Sequence, residues 1–174
     1  MASYYYLISS LPSLQADGEM PFSYADFLAQ CRGTVSEKTF RLLEELSLSS
    51  REGPLLREWG EFYGVLAEEL AYQRNERLGR PARLPAVRDA VMTKTVAAAL
   101  SAVNPLEGER QLLALEFDRL DGLVSMHYFD DHVLFGYALK LKLMERLTAF
   151  DGNKGKAEFR RLLELTRQKI TSIG

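Results

Sequence analysis

The sequence has a single cysteine, Cys31, and only two histidines, His127 and His132, in 174 residues. A lone cysteine excludes an internal disulfide, so the fold must rest on a packed core, and a reducing cytoplasm is the expected compartment. No Cys-His-Asn arrangement is legible around Cys31, and a cysteine inside a helical pattern reads as a small core residue. No uninterrupted apolar run reaches the roughly 20 residues that span a bilayer, so no transmembrane segment is expected. The apolar stretch from Tyr4 to Leu14 lacks a basic residue ahead of it and is broken by Ser9, Ser10, Pro12 and Ser13, which makes it a poor signal peptide. Also missing are Gly-x-x-x-x-Gly-Lys-Ser/Thr, Gly-x-Gly-x-x-Gly, Gly-x-Ser-x-Gly and His-Glu-x-x-His. No catalytic residue and no cofactor is therefore expected.

What is present is the balance of a folded protein: 47% apolar and 26% charged residues. The length suits one domain, residues 1–174. Charge is distributed unevenly. Residues 1–137 hold 13 basic and 20 acidic residues, a net of −7, whereas residues 138–174 hold 9 basic and 4 acidic, a net of +5. Such asymmetry suits an acidic partner surface, and equally a solvated helical face whose positive end favours the macrodipole.

Apolar spacing of three and four residues dominates and predicts an all-α fold, a bundle of about seven helices. Residues 3–12, with Tyr4, Tyr5 and Tyr6, read either as a short extended segment or as an atypical first helix. Ser23 three residues before Asp26 caps a helix that Gly33 stops, and Ser36 caps a second carrying Phe40, Leu43 and Leu46. Gly53-Pro54 is expected to open a third helix, with Pro54 in its first turn. Leu56, Trp59, Phe62, Tyr63, Leu66 and Leu70 form its apolar stripe, and it ends near Gly79. After a stiff connector from Pro81 to Pro85, residues 86–102 predict an alanine-rich, weakly charged helix, buried on most sides or packed against another subunit. Asn104-Pro105-Leu106-Glu107 starts the next helix, expected to run to about 126. Phe129-Asp130-Asp131 is a break and a cap before a helix over 132–149, with Leu134, Tyr137, Leu141, Met144 and Leu147 as one stripe. Asp151 to Gly155 is a polar turn, and a last helix over 157–171 carries Arg160, Arg161, Arg167 and Lys169 mostly outward.

The only compact set of potential ligands is His127, Asp130, Asp131 and His132. Imidazole and carboxylate suit zinc or iron, and His127 and Asp131 stand at the i, i+4 spacing of a helical metal pair. The break at Phe129-Asp130 interrupts that register, and a capping aspartate accounts for the same residues without a metal, so no metal is expected. A metal-dependent hydrolase on His127 and Asp131 is the enzyme alternative. Glu68 and Glu69 are expected on a solvated helical face. The basic C-terminal helix offers phosphate contacts, but the acidic remainder and the lack of a recognition helix argue against nucleic acid.

Three stretches carry a family resemblance: Tyr4-Tyr5-Tyr6-Leu7-Ile8-Ser9-Ser10-Leu11-Pro12; Trp59 to Tyr63 with Glu69-Leu70-Ala71-Tyr72-Gln73-Arg74-Asn75-Glu76-Arg77-Leu78-Gly79; and Phe135-Gly136-Tyr137-Ala138-Leu139-Lys140-Leu141-Lys142-Leu143-Met144-Glu145-Arg146. Together they resemble an uncharacterised bacterial family encoded among V-type (A/V-type) ATPase genes. The third is also similar to helices of the V-type ATPase C subunit (eukaryotic d), the helical socket between central stalk and membrane ring. The resemblance implies a non-catalytic subunit or accessory factor, a reduced version of that socket. It would lie peripherally on the inner face of the cytoplasmic membrane through the complex and contact stalk or ring subunits. Tyr4, Tyr5, Tyr6, Arg160, Arg161 and Arg167 are the candidate partner contacts. A helical adaptor unrelated to ATPases is the alternative.

Overall fold

Helix starts follow local chemistry. Ser23 accepts from the Asp26 amide at 3.2 Å while Asp26 accepts from the Ser23 amide at 3.1 Å, a reciprocal box that satisfies two otherwise unpaired donors. Ser36 caps through the Thr39 amide, Asp89 through Met92 and Asn104 through Glu107. In the computed structural model, which describes residues 4–148 and 161, these caps open α2 (Tyr24–Cys31), α3 (Glu37–Glu44), α5 (Ala90–Leu100) and α6 (Pro105–Val124). With α1 (Tyr5–Ser10), α4 (Leu56–Arg77) and α7 (Asp131–Thr148) they make an all-α bundle of seven helices with no strand among the described residues. The expected helix over 157–171 and the turn at 151–155 lie outside the described residues. No described helix is long and apolar enough to cross a membrane.

The N-terminal stretch, which the sequence left between extended and helical, is a short helix. Its aromatic residues favour strands in general, but Leu7 is buried and the Tyr4 amide donates to Phe129 O at 2.8 Å, so packing decides. Leu11 is extended because it precedes Pro12, and the helix stops before it.

Two starts differ from expectation. Pro54 lies ahead of α4 rather than in its first turn, because Leu55 adopts a left-handed backbone at φ 66°. That conformation costs an L-residue about 1–2 kcal/mol; Leu55 offsets it by burying its side chain to 3% exposure. The alanine-rich helix begins at Ala90 rather than at 86, because Asp89 is its cap.

The long α7 is the centre of the bundle. Leu134, Phe135, Ala138, Leu139, Leu141 and Leu143 have no exposed surface, so it is enclosed on more sides than one apolar stripe implies. It packs on α2, α3 and α6. Gly136 allows the approach to α6, since a Cβ there would lie 2.7 Å from Val124 Cγ1. Trp59 of α4, also fully buried, donates its indole N–H to Leu48 O at 2.9 Å and so fastens the loop after α3 onto α4. A smaller apolar cluster of Leu66, Met92, Val96, Ala99 and Leu112 joins α4, α5 and α6.

Two ion pairs lock these layers. Arg146 of α7 grips the fully buried Glu116 of α6. Glu69, expected on a solvated face, is instead 1% exposed. Arg88, reaching over from the segment before α5, donates to both its oxygens at 2.9 and 2.7 Å, and Gln73 adds a bond at 2.6 Å. Glu69 is a structural carboxylate, held by the Arg88 cation and the neutral Gln73 amide, as a buried anion needs a countercharge and hydrogen bonds.

Candidate functional site

The aromatic N-terminus and the histidine-aspartate cluster meet at one corner of the bundle, where α6 turns into α7. After α6 the chain tightens, with the His127 amide donating to Val124 O at 2.9 Å. Phe129 then takes a positive φ of 49°, a conformation unusual for a bulky side chain. That reversal lets Asp130 cap α7, its Oδ1 accepting from the Val133 amide at 3.2 Å.

The other oxygen of Asp130, Oδ2, lies 2.7 Å from His127 Nδ1. Burial pushes the Asp130 carboxyl up, but the hydrogen bonds from His127 and Val133 outweigh it and hold the group below the usual carboxylate range. The His127 ring stacks on that of His132, with centroids 3.9 Å apart and planes 9° from parallel. One ligand atom from each of His127, Asp130 and His132 lies within 4.8 Å of the others, and all three side chains are partly buried.

Asp131 is not part of this group. Its Oδ1 faces the Thr39 hydroxyl of α3 at 3.5 Å, and Thr39 in turn contacts the Tyr4 hydroxyl at 3.4 Å. The i, i+4 pair of His127 and Asp131 is thus replaced by His127, Asp130 and His132. The Phe129 reversal takes the segment out of helical register, so spacing along one helix does not apply across it.

The three tyrosines have different places. Tyr4 is buried at 5% exposure beside Thr39, and burial pushes its phenol up. Tyr5 is 52% exposed and packs on Phe129 at 4.6 Å between centroids, while Tyr6 is 86% exposed and meets the Tyr5 ring edge-on at 5.5 Å. Tyr128 and Met126 are also exposed, at 78% and 85%. Of the candidate tyrosines, Tyr4 is therefore an anchor and only Tyr5 and Tyr6 are available to a partner. No spacing rule separates three consecutive tyrosines; their environments do. Of the basic candidates, Arg161 is exposed, and Arg160 and Arg167 lie outside the described residues.

Elsewhere the described surface offers shallow grooves. One of them, about 580 Å³, runs along α4 between Arg51, Glu58, Phe62, Val65, Met92 and Arg119. Cys31 is fully buried, and burial pushes its thiol up to about 12, which keeps it protonated and unreactive at neutral pH.

No curated protein and no solved structure matches the chain. A family model described as a protein of unknown function (DUF2764) matches residues 91–170, just under half of the chain, which includes the whole α6–α7 corner with His127, Asp130 and His132.

Proposed function

We propose that this protein is a non-catalytic subunit or accessory factor of a V-type ATPase, a socket-like component that works by protein–protein contact. It would sit peripherally on the cytoplasmic face of the membrane through the complex. The resemblance of the Tyr4–Pro12, Trp59–Gly79 and Phe135–Arg146 stretches to proteins encoded with, or belonging to, such ATPases supplies the partner. The observation that carries a docking role is the aromatic corner: Tyr5 and Tyr6 stand out from the surface while buried Tyr4 and partly buried Phe129 fix the backbone beneath them. Exposed aromatics on a rigid support lose little conformational entropy on binding, which is why tyrosine is frequent in interface cores. A socket transmits torque through shape and packing, and the buried ion pairs between helices suit that mechanical role.

The test is a pull-down of the tagged chain from its native membranes, run beside a variant carrying Tyr5→Ser and Tyr6→Ser. Recovery of catalytic, stalk and ring subunits by the wild type at near-equal amounts supports a built-in subunit, and lesser amounts support an accessory factor. In either case the variant should recover markedly less. Absence of ATPase subunits from the wild-type sample would sink the ATPase reading. Equal recovery by the variant would remove the aromatic corner as the contact.

A further inference from the structure

We propose that His127, Asp130 and His132 form a binding site for a divalent transition ion of the zinc type. The site is independent of the ATPase reading, since it rests on the geometry of one turn. Both histidines of the chain fall within a six-residue segment, and the positive φ at Phe129 folds that segment so that two imidazoles and one carboxylate converge. Neutral imidazole and carboxylate are ligands that zinc-type ions accept, and two imidazoles with one carboxylate neutralise half the charge of a divalent ion.

The distances are those of a site that needs only side-chain adjustment. A tetrahedral ion bound at about 2.0–2.2 Å holds its ligand atoms roughly 3.4 Å apart. The three atoms here lie within 4.8 Å of one another, so a shift of about an ångström brings them into range. The rings have room for it: the His127 side chain is 32% exposed, and His132 is only partly buried. The two rings stack face to face at 3.9 Å with planes 9° from parallel, so binding requires them to tilt out of the stack until one nitrogen of each points at a common ion.

Asp130 is already oriented for the task. Its Oδ1 is engaged by the Val133 amide, which fixes the carboxylate plane and leaves Oδ2 directed at His127. A ligating carboxylate held by a hydrogen bond on its other oxygen is the usual support of a metal site. An ion seated there would replace the hydrogen bond between His127 and Asp130, with the His127 ring staying neutral as it binds. Three protein ligands leave one position open, and at this half-exposed corner water fills it. The bound ion would tie the end of α6 to the start of α7 and stiffen the turn that carries Phe129 beneath Tyr5.

The experiment uses the full chain with any polyhistidine tag removed, stripped by chelator and dialysed, and titrated calorimetrically with Zn2+. Visible absorption with Co2+ reports coordination. The wild type is expected to bind one ion with a rise in Tm. His132→Ala and His132→Gln should each weaken binding by about 100-fold or more, beyond the loss caused by merely supporting residues. Asp130→Asn should weaken it by at least about tenfold while lowering the metal-free Tm only a little, because asparagine keeps the cap to Val133 and loses the charge beside His127. Asp131→Asn should bind as the wild type does. No saturable binding at millimolar Zn2+ would overturn the proposal. Equal binding by the His132 variants, or a loss in Asp131→Asn as large as in Asp130→Asn, would overturn it too.

Discussion

Arg146 grips Glu116 with two parallel hydrogen bonds, Nη1 to Oε1 at 2.8 Å and Nη2 to Oε2 at 2.6 Å, across the α6–α7 interface at the centre of the bundle. The Arg146 Nε also lies 3.3 Å from Glu109 Oε2, an ion-pair contact with no hydrogen bond to that nitrogen. Glu116 has no exposed surface, so its charge depends on this one guanidinium. Arg146→Ala should cost about 3–5 kcal/mol by urea denaturation, because it strands a buried carboxylate. Replacing both partners, Glu116→Leu with Arg146→Met, should cost much less or nothing, since an apolar pair of similar volume needs no desolvation of charge. Equal losses in the single and double variants would show that packing, not charge, holds this contact.

Tyr4 and Tyr6, two residues apart, should respond in opposite ways to truncation. Tyr4→Ala removes a ring that is 5% exposed and should destabilise by about 3 kcal/mol, in the range for buried aromatics. Tyr6→Ala removes one that is 86% exposed and should change stability by less than about 0.5 kcal/mol. Thermal or urea unfolding of the two variants checks this. A large loss in Tyr6→Ala would mean that Tyr6 is a core residue rather than a contact residue.

Glu69 should make part of the protein's acid sensitivity. The hydrogen bonds from Arg88, with Gln73 adding to them and burial opposing, hold its carboxyl below the usual range. A carboxyl depressed in the fold binds protons less readily there than in the unfolded chain. Its stabilisation is therefore complete above the unfolded pKa of about 4.3 and is lost as pH falls through the lower folded value. Urea midpoints measured from about pH 6 down to about pH 3 should fall less steeply for Glu69→Gln than for the wild type. Arg88→Ala should cost about 1–3 kcal/mol at neutral pH, since a buried acceptor loses its main donor. Parallel acid limbs for Glu69→Gln and wild type would remove Glu69 from the account.

Glu69 also marks the limit of what local pattern reveals. Along α4 it shares the polar side of the repeat with Glu68, and nothing within a few residues distinguishes them. The distinction is made by Arg88, 19 residues downstream, after a connector whose path depends on where α5 packs. The candidate metal group has the same history. His127, Asp130, Asp131 and His132 stand out in composition, but the choice of Asp130 over Asp131 follows from the backbone reversal at Phe129. Thr39 of α3, too, has to lie where it engages Asp131.

The all-α class, most helix starts and the main apolar stripes are legible in the amino-acid order alone. Caps such as Ser23, Ser36 and Asn104 act on amides three residues away, and the helical repeat is a property of neighbouring residues, so both are local and legible. Packing in three dimensions settled which members of like sets are buried, as Tyr4 against Tyr5 and Tyr6 and Glu69 against Glu68, and which partner each finds, as Asp130 with His127 and Asp131 with Thr39. It also decided that α7 is central and that the aromatic N-terminus rests on the α6–α7 turn. Burial and pairing depend on side chains brought together from distant parts of the chain, such as the Tyr4 amide and Phe129 O, and no period in the sequence records those contacts.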